Sequence, residues 1–430
     1  MEIDAVEAVE AIEASDLLDL LLNFLLFVLL GVSIGTVAGL IPGLHINNLL
    51  PAILSLAAFF DPMLLAVMIS AIAMTQNFVC YVTSIFVGAP DEDTALTVLP
   101  GHRLLIEGRG FEAIKLTAVS GLATLFVSII LIFILSGYYG IIYDIIRPYV
   151  QFIISGIAVV MILFEKKLRK ILAASLVFIM SGFFGVLILN SPLLPKANVL
   201  FPALSGLFGL STIMVSITQK SQIPPQTYDE EMKLSKKSLA RSVLLGTFAG
   251  LIVGLLPAIG VSQAAILVGF NKISDARSFL ATTSSINIAN EVFSLMSLFL
   301  VGNPRSGSSV AIQQLVSELT QNDLFLFIGS ICISAGLASV ITVWLGKKIP
   351  HYLQRINYMH LSSAVILFLT AMVLLLTGFL GVLILFTAVS IGLLCNYLGV
   401  KRSHCMGVLL LPSILFFAGL NPFVITLLGI

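Results

Sequence analysis

The residues of this apolar chain that are best suited to chemistry follow prolines, and the first such tract follows Pro42 and Gly43. It contains His45, Asn47 and Asn48 within an otherwise hydrophobic stretch. Two adjacent amides in apolar surroundings need several hydrogen-bond partners, whereas His45 alone is also explained as an interior histidine whose ring is hydrogen-bonded. Asn is a preferred N-cap residue, so a half-helix beginning at Asn47 would direct its free N–H groups and positive dipole end inward. Such an end suits a carboxylate or a phosphate.

A matching tract half a chain later follows Pro257 and contains Ser262 and Gln263. Ser262 is likewise a good N-cap. Each proline frees backbone carbonyls within an apolar segment, and irregular backbone survives in a membrane only where protein buries it or where it lines a cavity. The paired interruptions therefore predict one shared cavity.

Charged residues follow a second pair of prolines. Asp91 and Glu92 come directly after Pro90, and Arg305 comes directly after Pro304. If these residues form a site, the acids would bind Na+ or H+, and the planar fork of Arg305 would hold an anionic group. The alternatives are a buried ion-pair cluster and a loop that emerges into water. The serines after Arg305 that would add neutral donors are Ser306 and Ser308.

A third polar tract contains Asn287, Asn290 and Glu291 between apolar runs. An ionisable group in such a position is a functional hypothesis by default, and its alternative is a structural pair with Arg305 or Arg277. The candidate substrate-binding residues are thus Pro42, Gly43, His45, Asn47, Asn48, Pro257, Ser262, Gln263, Asn287, Asn290, Arg305, Ser306 and Ser308, and the candidate coupling-ion residues are Asp91, Glu92 and Glu291.

The composition places these residues in a lipid bilayer. Hydrophobic residues make up 58% of the chain and charged residues 10%, against roughly 45–50% and about 25% in soluble domains. Several runs approach the roughly 20 apolar residues that a helix needs to cross the hydrocarbon, and the chain lacks the short alternating segments of a barrel. We therefore expect an all-α polytopic protein of the cell membrane. Its net charge of zero gives no indication of a nucleic-acid partner.

The elements that must position the candidate residues occur twice. Gly31, Gly35 and Gly39 precede the first proline break, and a second set with the same spacing precedes the second break. Glycines four residues apart let helices approach closely in lipid. The duplication predicts two structural repeats with discontinuous helices, inverted if each half has an odd number of passes. The second set is Gly246, Gly250 and Gly254.

The chain divides into four segments by composition. Residues 1–20 carry acids without Lys or Arg and predict either an amphipathic helix on the membrane surface or a solvated acidic leader. Residues 21–218 and 242–430 are the two predicted repeats. Residues 219–241 have the composition of a solvated loop between them, and their basic residues favour the cytoplasmic side.

The sequence gives no indication of a cofactor, a metal site or catalysis. Cys80, Cys332, Cys395 and Cys405 lie in apolar segments without metal-ligand spacing, which favours a packing role. The letters Gly-x-Ser-x-Gly occur at residues 31–35, but there they are part of a long apolar run with glycines four residues apart and not of a strand-to-helix turn, and His-Glu-x-x-His does not occur. We therefore do not expect an enzyme.

The chain resembles the large membrane permease subunit of the tripartite tricarboxylate transporters. The resemblance covers roughly residues 30–345. The chain differs from the family pattern at His45, Asp91 and Arg305, and these residues add charge to the expected site. The four similar places are a Gly-x-x-Pro-Gly break followed by a Leu-Leu-Pro-like tract in residues 39–51, a Pro-Gly-Glu motif followed by small hydroxyl residues and a variable-Gly stretch in residues 90–101, a second proline break in residues 254–260, and an Asn-rich helix leading to a Pro-Gly-Ser-like motif in residues 287–309.

The resemblance implies a secondary active transporter that moves small organic anions such as di- or tricarboxylates, coupled to Na+ or H+. It also implies two partners, a small membrane subunit and an extracytoplasmic binding protein. The alternative is a carrier of a lipid-linked phosphate such as polyprenyl phosphate, because other duplicated membrane proteins with Pro-Gly breaks resemble such carriers. A passive channel and an intramembrane enzyme are the remaining hypotheses.

Overall fold

All regular structure in the described part of the chain is helical, which confirms the predicted fold class. The computed structural model describes residues 2–41, 44–88, 94, 96–165, 167–191, 196–218, 224–228, 231–255, 260–269, 275–302, 304–316, 319–353 and 358–428. The helices are α1 (Glu2–Leu40), α2 (Ile46–Ser55), α3 (Pro62–Phe86), α4 (Val98–Ile106), α5 (Gly110–Leu135), α6 (Tyr139–Ile146), α7 (Val150–Leu163), α8 (Leu168–Asn190), α9 (Lys196–Leu204), α10 (Ser211–Thr218), α11 (Lys236–Leu255), α12 (Val261–Gly269), α13 (Ala276–Val301), α14 (Gly307–Leu315), α15 (Gln321–Leu353), α16 (Tyr358–Leu398), α17 (Gly407–Phe417) and α18 (Asn421–Leu428), with short 3-10 turns at Leu56–Ala58, Arg147–Tyr149 and Arg402–Met406 and a π-helical segment at Ser205–Leu210.

Eight helices of the described residues are long and apolar enough to cross a membrane, and α6 with α7, bent by 68°, would form a ninth span. The chain is therefore a multi-pass membrane protein. The predicted acidic leader is continuous with the first span, because α1 is one helix of 39 residues. The position of this segment on the membrane surface or in solvent stays a prediction. The eight spans are Leu18–Leu40, Pro62–Phe86, Gly110–Leu135, Leu168–Asn190, Lys236–Leu255, Ala276–Val301, Asp323–Tyr352 and Ser363–Leu398.

The duplicated glycines pack two helix pairs in the same way. A side chain at Gly31 or Gly39 of α1 would collide with Ala71 or Val79 of α3, respectively. In the second half, α11 packs on α13 in the equivalent register. The two helices of each pair run parallel, because contacts advance together along both. The equivalent contacts in the second pair are Gly246 with Ser285, Gly250 with Ala289 and Gly254 with Phe293.

The two helix pairs run in opposite directions, and this follows from their contacts with α5. Helix α5 is parallel to α13, because Ser284 Oγ donates to the Thr117 carbonyl at 2.7 Å and Gly121 lies against Ile288 one turn later. It is antiparallel to α3, since Gly110 meets Phe86 while Gly121 meets Phe78. These directions are what an inverted duplication requires. The assignment of the two halves as repeats stays a prediction.

The halves also exchange a helix. Helix α5 of the first half packs on α13 of the second, and α15 of the second half packs on α3 of the first. The second contact includes a hydroxyl pair, in which Ser70 Oγ and Ser330 Oγ are 2.9 Å apart. Each glycine-packed pair is therefore completed by a helix from the opposite half.

The segment between the halves is partly buried rather than wholly solvated. The side chain of Gln226 is buried, accepts a hydrogen bond from the Gly110 N–H at 2.8 Å and donates to the Leu105 carbonyl at 2.9 Å. The carboxylate of Glu112, also buried, accepts from the Lys233 N–H at 2.6 Å. These bonds attach the inter-repeat segment to the corner between α4 and α5.

A second bundle, built from α7, α8, α9, α16 and α17, contains a polar pair outside the spans. Glu165 Oε1 accepts from the Lys401 N–H at 3.0 Å and lies 3.0 Å from His404 Nε2. Burial raises the pKa of Glu165, but these two hydrogen bonds more than offset it, so the pKa lies below its ordinary value. Burial lowers the pKa of His404 by more than the Glu165 carboxylate raises it.

Candidate functional site

The first helix break lies between α1 and α2 and is held by a side chain of α3. A helix end leaves backbone groups without intrahelical partners, and inside a membrane these need other partners. Gln76 provides a partner for one N–H and one carbonyl at the break: its Oε1 accepts from the Ile46 N–H at 2.8 Å, and its Nε2 donates to the Leu44 carbonyl at 3.1 Å. Thr83 Oγ1 donates to the Gly39 carbonyl at 3.2 Å. The break is therefore braced near the middle of α3.

The half-helix after this break begins earlier than the sequence predicts. Its N-cap is His45, in an extended conformation, and His45 Nδ1 accepts from the Asn47 N–H at 3.2 Å. Asn47 thus lies within the first turn of α2 and not at the cap, and Asn47 is exposed. His45 is consequently a hydrogen-bonded structural cap.

The second half-helix of this region, α14, begins with a cluster of hydroxyls. Ser306 is the N-cap and accepts from the Ser309 N–H at 3.2 Å. Its Oγ lies 2.8 Å from both Ser308 Oγ and Ser309 Oγ. Ser308 in turn donates to Glu291 Oε1 of α13 at 2.9 Å. Four oxygen-bearing side chains thus meet at the beginning of α14, near the middle of α13.

The N-terminal ends of α2 and α14 meet in space. Gly307, the first residue of α14, lies so close to the side-chain amide of Asn47 that a Cβ at position 307 would overlap it. Both helices carry the positive ends of their dipoles at this point. This contact joins the first break with the serine tract that follows Pro304, while the single cavity shared by all the paired breaks stays a prediction.

Arg305 immediately precedes this meeting point and lies against an aromatic ring. Its Cζ is 4.7 Å from the centre of the Tyr143 ring. Its Nε and Nη2 atoms are buried without a hydrogen-bond partner among the described residues. The suggested alternative partner of Glu291, Arg277, forms ion pairs with Glu112 and Asp275.

Other candidates lie on α13 and α12. Asn287, one turn before Glu291, is fully buried, and neither its Oδ1 nor its Nδ2 has a hydrogen-bond partner among the described residues. Asn290 is half-buried. Ser262 is buried in the first turn of α12, which begins at Val261. Asn287 therefore offers a donor and an acceptor in the protein interior.

Several predicted site residues lie outside what the structure describes, and their roles stay predictions. The described residues omit Pro42, Gly43, Asp91, Glu92 and Pro257 altogether. The side chains of Asn48 and Gln263 are outside them as well.

Three residues near the site are absent from the sequence-based candidate list: Gln76, Tyr139 and Tyr143. Gln76 could have been found from its position, because it occupies the place in the first half that Asn290 occupies in the second. The two tyrosines lie one turn apart on α6, and this spacing is the signal that could have identified them.

The arrangement offers donors for an anion and oxygens for a cation or a proton. The donors are the two helix N-termini, the Arg305 guanidinium and the serine hydroxyls. The oxygens are those of Glu291 and the serine cluster. Hard cations such as Na+ and Mg²⁺ are bound through oxygen in proteins, and a carboxylate can equally take a proton.

Comparison with known proteins gives one family and one relative. The model of the "Tripartite tricarboxylate transporter TctA family" matches residues 25–407. The uncharacterized protein MJ1079 of Methanocaldococcus jannaschii is 31% identical over 406 residues, which cover 91% of this chain and 98% of the relative. No solved structure matches the chain.

Proposed function

The chain belongs to the tripartite tricarboxylate transporter TctA family, and on that premise we propose that it is a secondary active transporter of small organic anions such as di- or tricarboxylates, coupled to Na+ or H+. The single observation that best supports this proposal is the meeting of α2 and α14 at Asn47 and Gly307. Two helix N-termini near mid-membrane form an anion site that needs no formal charge. Discontinuous helices around such a site are typical of secondary transporters.

In this proposal Arg305 takes one carboxylate of the substrate. Its Nε and Nη2 atoms have no protein partner among the described residues, and a buried donor without a partner is costly. A bound carboxylate would satisfy both. Neutral donors for the rest of the anion would come from Asn47, Asn287, Asn290, Ser262 and the serine cluster of α14.

Glu291 is the proposed coupling-ion residue among those described. Its carboxylate is half-buried and already accepts from Ser308. A cation or proton held here would offset the negative charge that a substrate brings to the same helix ends. Asp91 and Glu92 are proposed to share this role.

Alternating access would involve the two glycine-packed pairs, α1 with α3 and α11 with α13, which run in opposite directions. Because α5 and α15 each bridge to the opposite half, rocking of one half would move the walls of the site on both sides. By family membership we also propose a small membrane subunit and an extracytoplasmic binding protein as partners, since both belong to the tripartite assembly.

The test is uptake of labelled citrate and succinate into proteoliposomes with imposed Na+ or H+ gradients. We expect saturable, gradient-driven uptake that Glu291→Gln and Arg305→Ala abolish. Glu107→Gln is the matched control, because Glu107 and its partner Arg103 are 42% and 72% exposed. Absence of uptake with or without the partner subunits would contradict the proposal, and movement of polyprenyl phosphate instead would support the lipid-phosphate carrier.

A further inference from the structure

Helix α6 is not part of either glycine-packed pair, yet it contacts Arg305 and also the part of α13 that lies beside the end of α11. Its two tyrosines, Tyr139 and Tyr143, are buried and one turn apart. We propose that they are positioning residues of transport: Tyr143 presents the Arg305 guanidinium to the anion, and Tyr139 fixes α6 to the end of α11. This inference rests on the proposed function, since it assigns how the anion site is held.

The stacking geometry leaves the useful edge of Arg305 free. The guanidinium carbon lies 4.7 Å from the Tyr143 ring centre, and a stacked guanidinium uses its face while its N–H groups point outward in its plane. Nε and Nη2, the two atoms without a partner among the described residues, lie on one edge of that plane. A carboxylate accepts two parallel bonds from such an edge. Tyr143 therefore holds Arg305 without competing for the atoms that would bind the substrate.

Tyr139 connects the same helix to the second break. Its hydroxyl donates to the Phe293 carbonyl at 3.0 Å and lies 2.9 Å from Ser297 Oγ. Ser297 Oγ donates to the Gly254 carbonyl at 2.8 Å. Gly254 lies in the last turn of α11 that the structure describes. A continuous set of contacts thus joins the end of α11 to Arg305 through one turn of α6.

The first break has the equivalent hydroxyl without this connection. Thr83 Oγ1 reaches the Gly39 carbonyl, as Ser297 reaches Gly254, but its second hydrogen bond is to the Cys80 carbonyl of its own helix at 2.8 Å. Within the described residues, the link to α6 is therefore a property of the second break. In this proposal the anion site is asymmetric, because Arg305 is linked through α6 to the end of α11.

The test is a double-mutant cycle between Tyr143 and Arg305. We expect Tyr143→Leu to raise the KM for citrate by roughly 2- to 30-fold, the loss of one stacked guanidinium contact, with little change in Vmax. Tyr143→Phe keeps the ring face and should stay near wild type. The cycle itself uses one readout, citrate-induced thermal stabilisation, in both backgrounds: Tyr143→Leu should reduce it when Arg305 is present and should cause no further loss in the Arg305→Ala background.

Tyr139→Phe keeps the packing and removes the hydroxyl, so it provides a second variant that tests the link to the break. It should raise the KM in the wild-type background and have no effect on citrate stabilisation in the Arg305→Ala background. Equal losses of citrate-induced stabilisation in the wild-type and Arg305→Ala backgrounds, or a wild-type KM for citrate in Tyr143→Leu, would overturn the inference while leaving the transport function intact. A wild-type protein that neither binds nor moves any carboxylate would overturn the proposed function and the inference with it.

Discussion

Replacing Glu112 with Gln is expected to release the inter-repeat segment from the start of α5. The Glu112 side chain is 4% exposed and has two cationic partners, Arg277 at 2.9 Å and Arg109 at 2.8 Å, which are themselves 14% and 12% exposed. Its Oε1 also accepts from the Lys233 N–H at 2.6 Å. Removing the charge takes the close counter-ion away from both guanidinium groups and leaves Arg277 with the more distant Asp275 at 3.8 Å.

Breaking a buried pair by removing one partner costs about 3–5 kcal/mol. Gln keeps one acceptor oxygen, so the lower end of that range applies, and about 3 kcal/mol corresponds to roughly a 100-fold change in an equilibrium constant. The exposed pair of Glu107 and Arg103 lies in the same corner of the molecule. Its removal should cost at most about 1 kcal/mol, so Glu107→Gln is the matched control.

Amide hydrogen exchange of the purified protein measures this opening directly, because the Lys233 N–H is itself bonded to Glu112. We expect Glu112→Gln to accelerate exchange at Lys233 by roughly 100-fold and Glu107→Gln to leave it nearly unchanged. The Thr227 amide, bonded to the Gly108 carbonyl at 2.8 Å, reports whether the whole segment opens together. Similar acceleration by both variants, or none by Glu112→Gln, would refute the reasoning.

Three further outcomes are expected. Gly250→Ala should lower the free energy of unfolding by about 1–3 kcal/mol, because the new methyl group overlaps α13. Gly336→Ala is the control: a methyl group there meets no neighbouring atom within 4 Å, so the change should be neutral or slightly stabilising. Equal destabilisation by both changes, measured by thermal unfolding, would contradict the packing argument. Gln76→Leu leaves two backbone groups of the first break unsatisfied at about 1–3 kcal/mol each and should abolish uptake in proteoliposomes, while Gln76→Glu retains one bond and part of the activity. The pKa values of His404 and Glu165 are lower in the folded protein than in the unfolded chain, so the unfolded chain binds more protons as the pH falls. The unfolding temperature should therefore fall as the pH drops below histidine's ordinary 6.5, and further as Glu165 protonates. An unfolding temperature that does not depend on pH, or a pH dependence that the double replacement Glu165→Gln and His404→Phe leaves unchanged, would contradict this assignment.

The parts of the fold that depend on local pattern were predictable from the sequence. Glycines spaced like Gly31 and Gly39 specify a helix face that packs closely. Prolines are a weaker guide, because Pro202, Pro350 and Pro412 lie inside α9, α15 and α17. The position of the first cap was not predictable in this way. Local preference favours Asn47, but Gln76 of another helix accepts from the Ile46 N–H and His45 accepts from Asn47, so the helix begins earlier.

Contacts between distant segments were beyond the sequence patterns. Nothing near Arg305 in the chain indicates Tyr143, and nothing near Glu112 indicates Arg277, because each pair is separated by more than one membrane span. The exchange of α5 and α15 is a similar case. The apolar composition of α5 and α15 suits packing against either half of the chain, so composition and periodicity do not decide whether each helix packs on its own half or on the opposite one.

The exchange of α5 and α15 has a consequence for how the protein is made. Helix α3 enters the membrane early in synthesis, but its partner α15, with Ser330, is translated only after most of the chain. Until then the Ser70 hydroxyl and the surrounding face of α3, which is almost entirely buried in the finished protein, must be covered by lipid or by the insertion machinery. The first half therefore remains an incomplete intermediate until α15 has been translated, and a premature stop after the first half should yield a product that is degraded rather than a stable half-transporter.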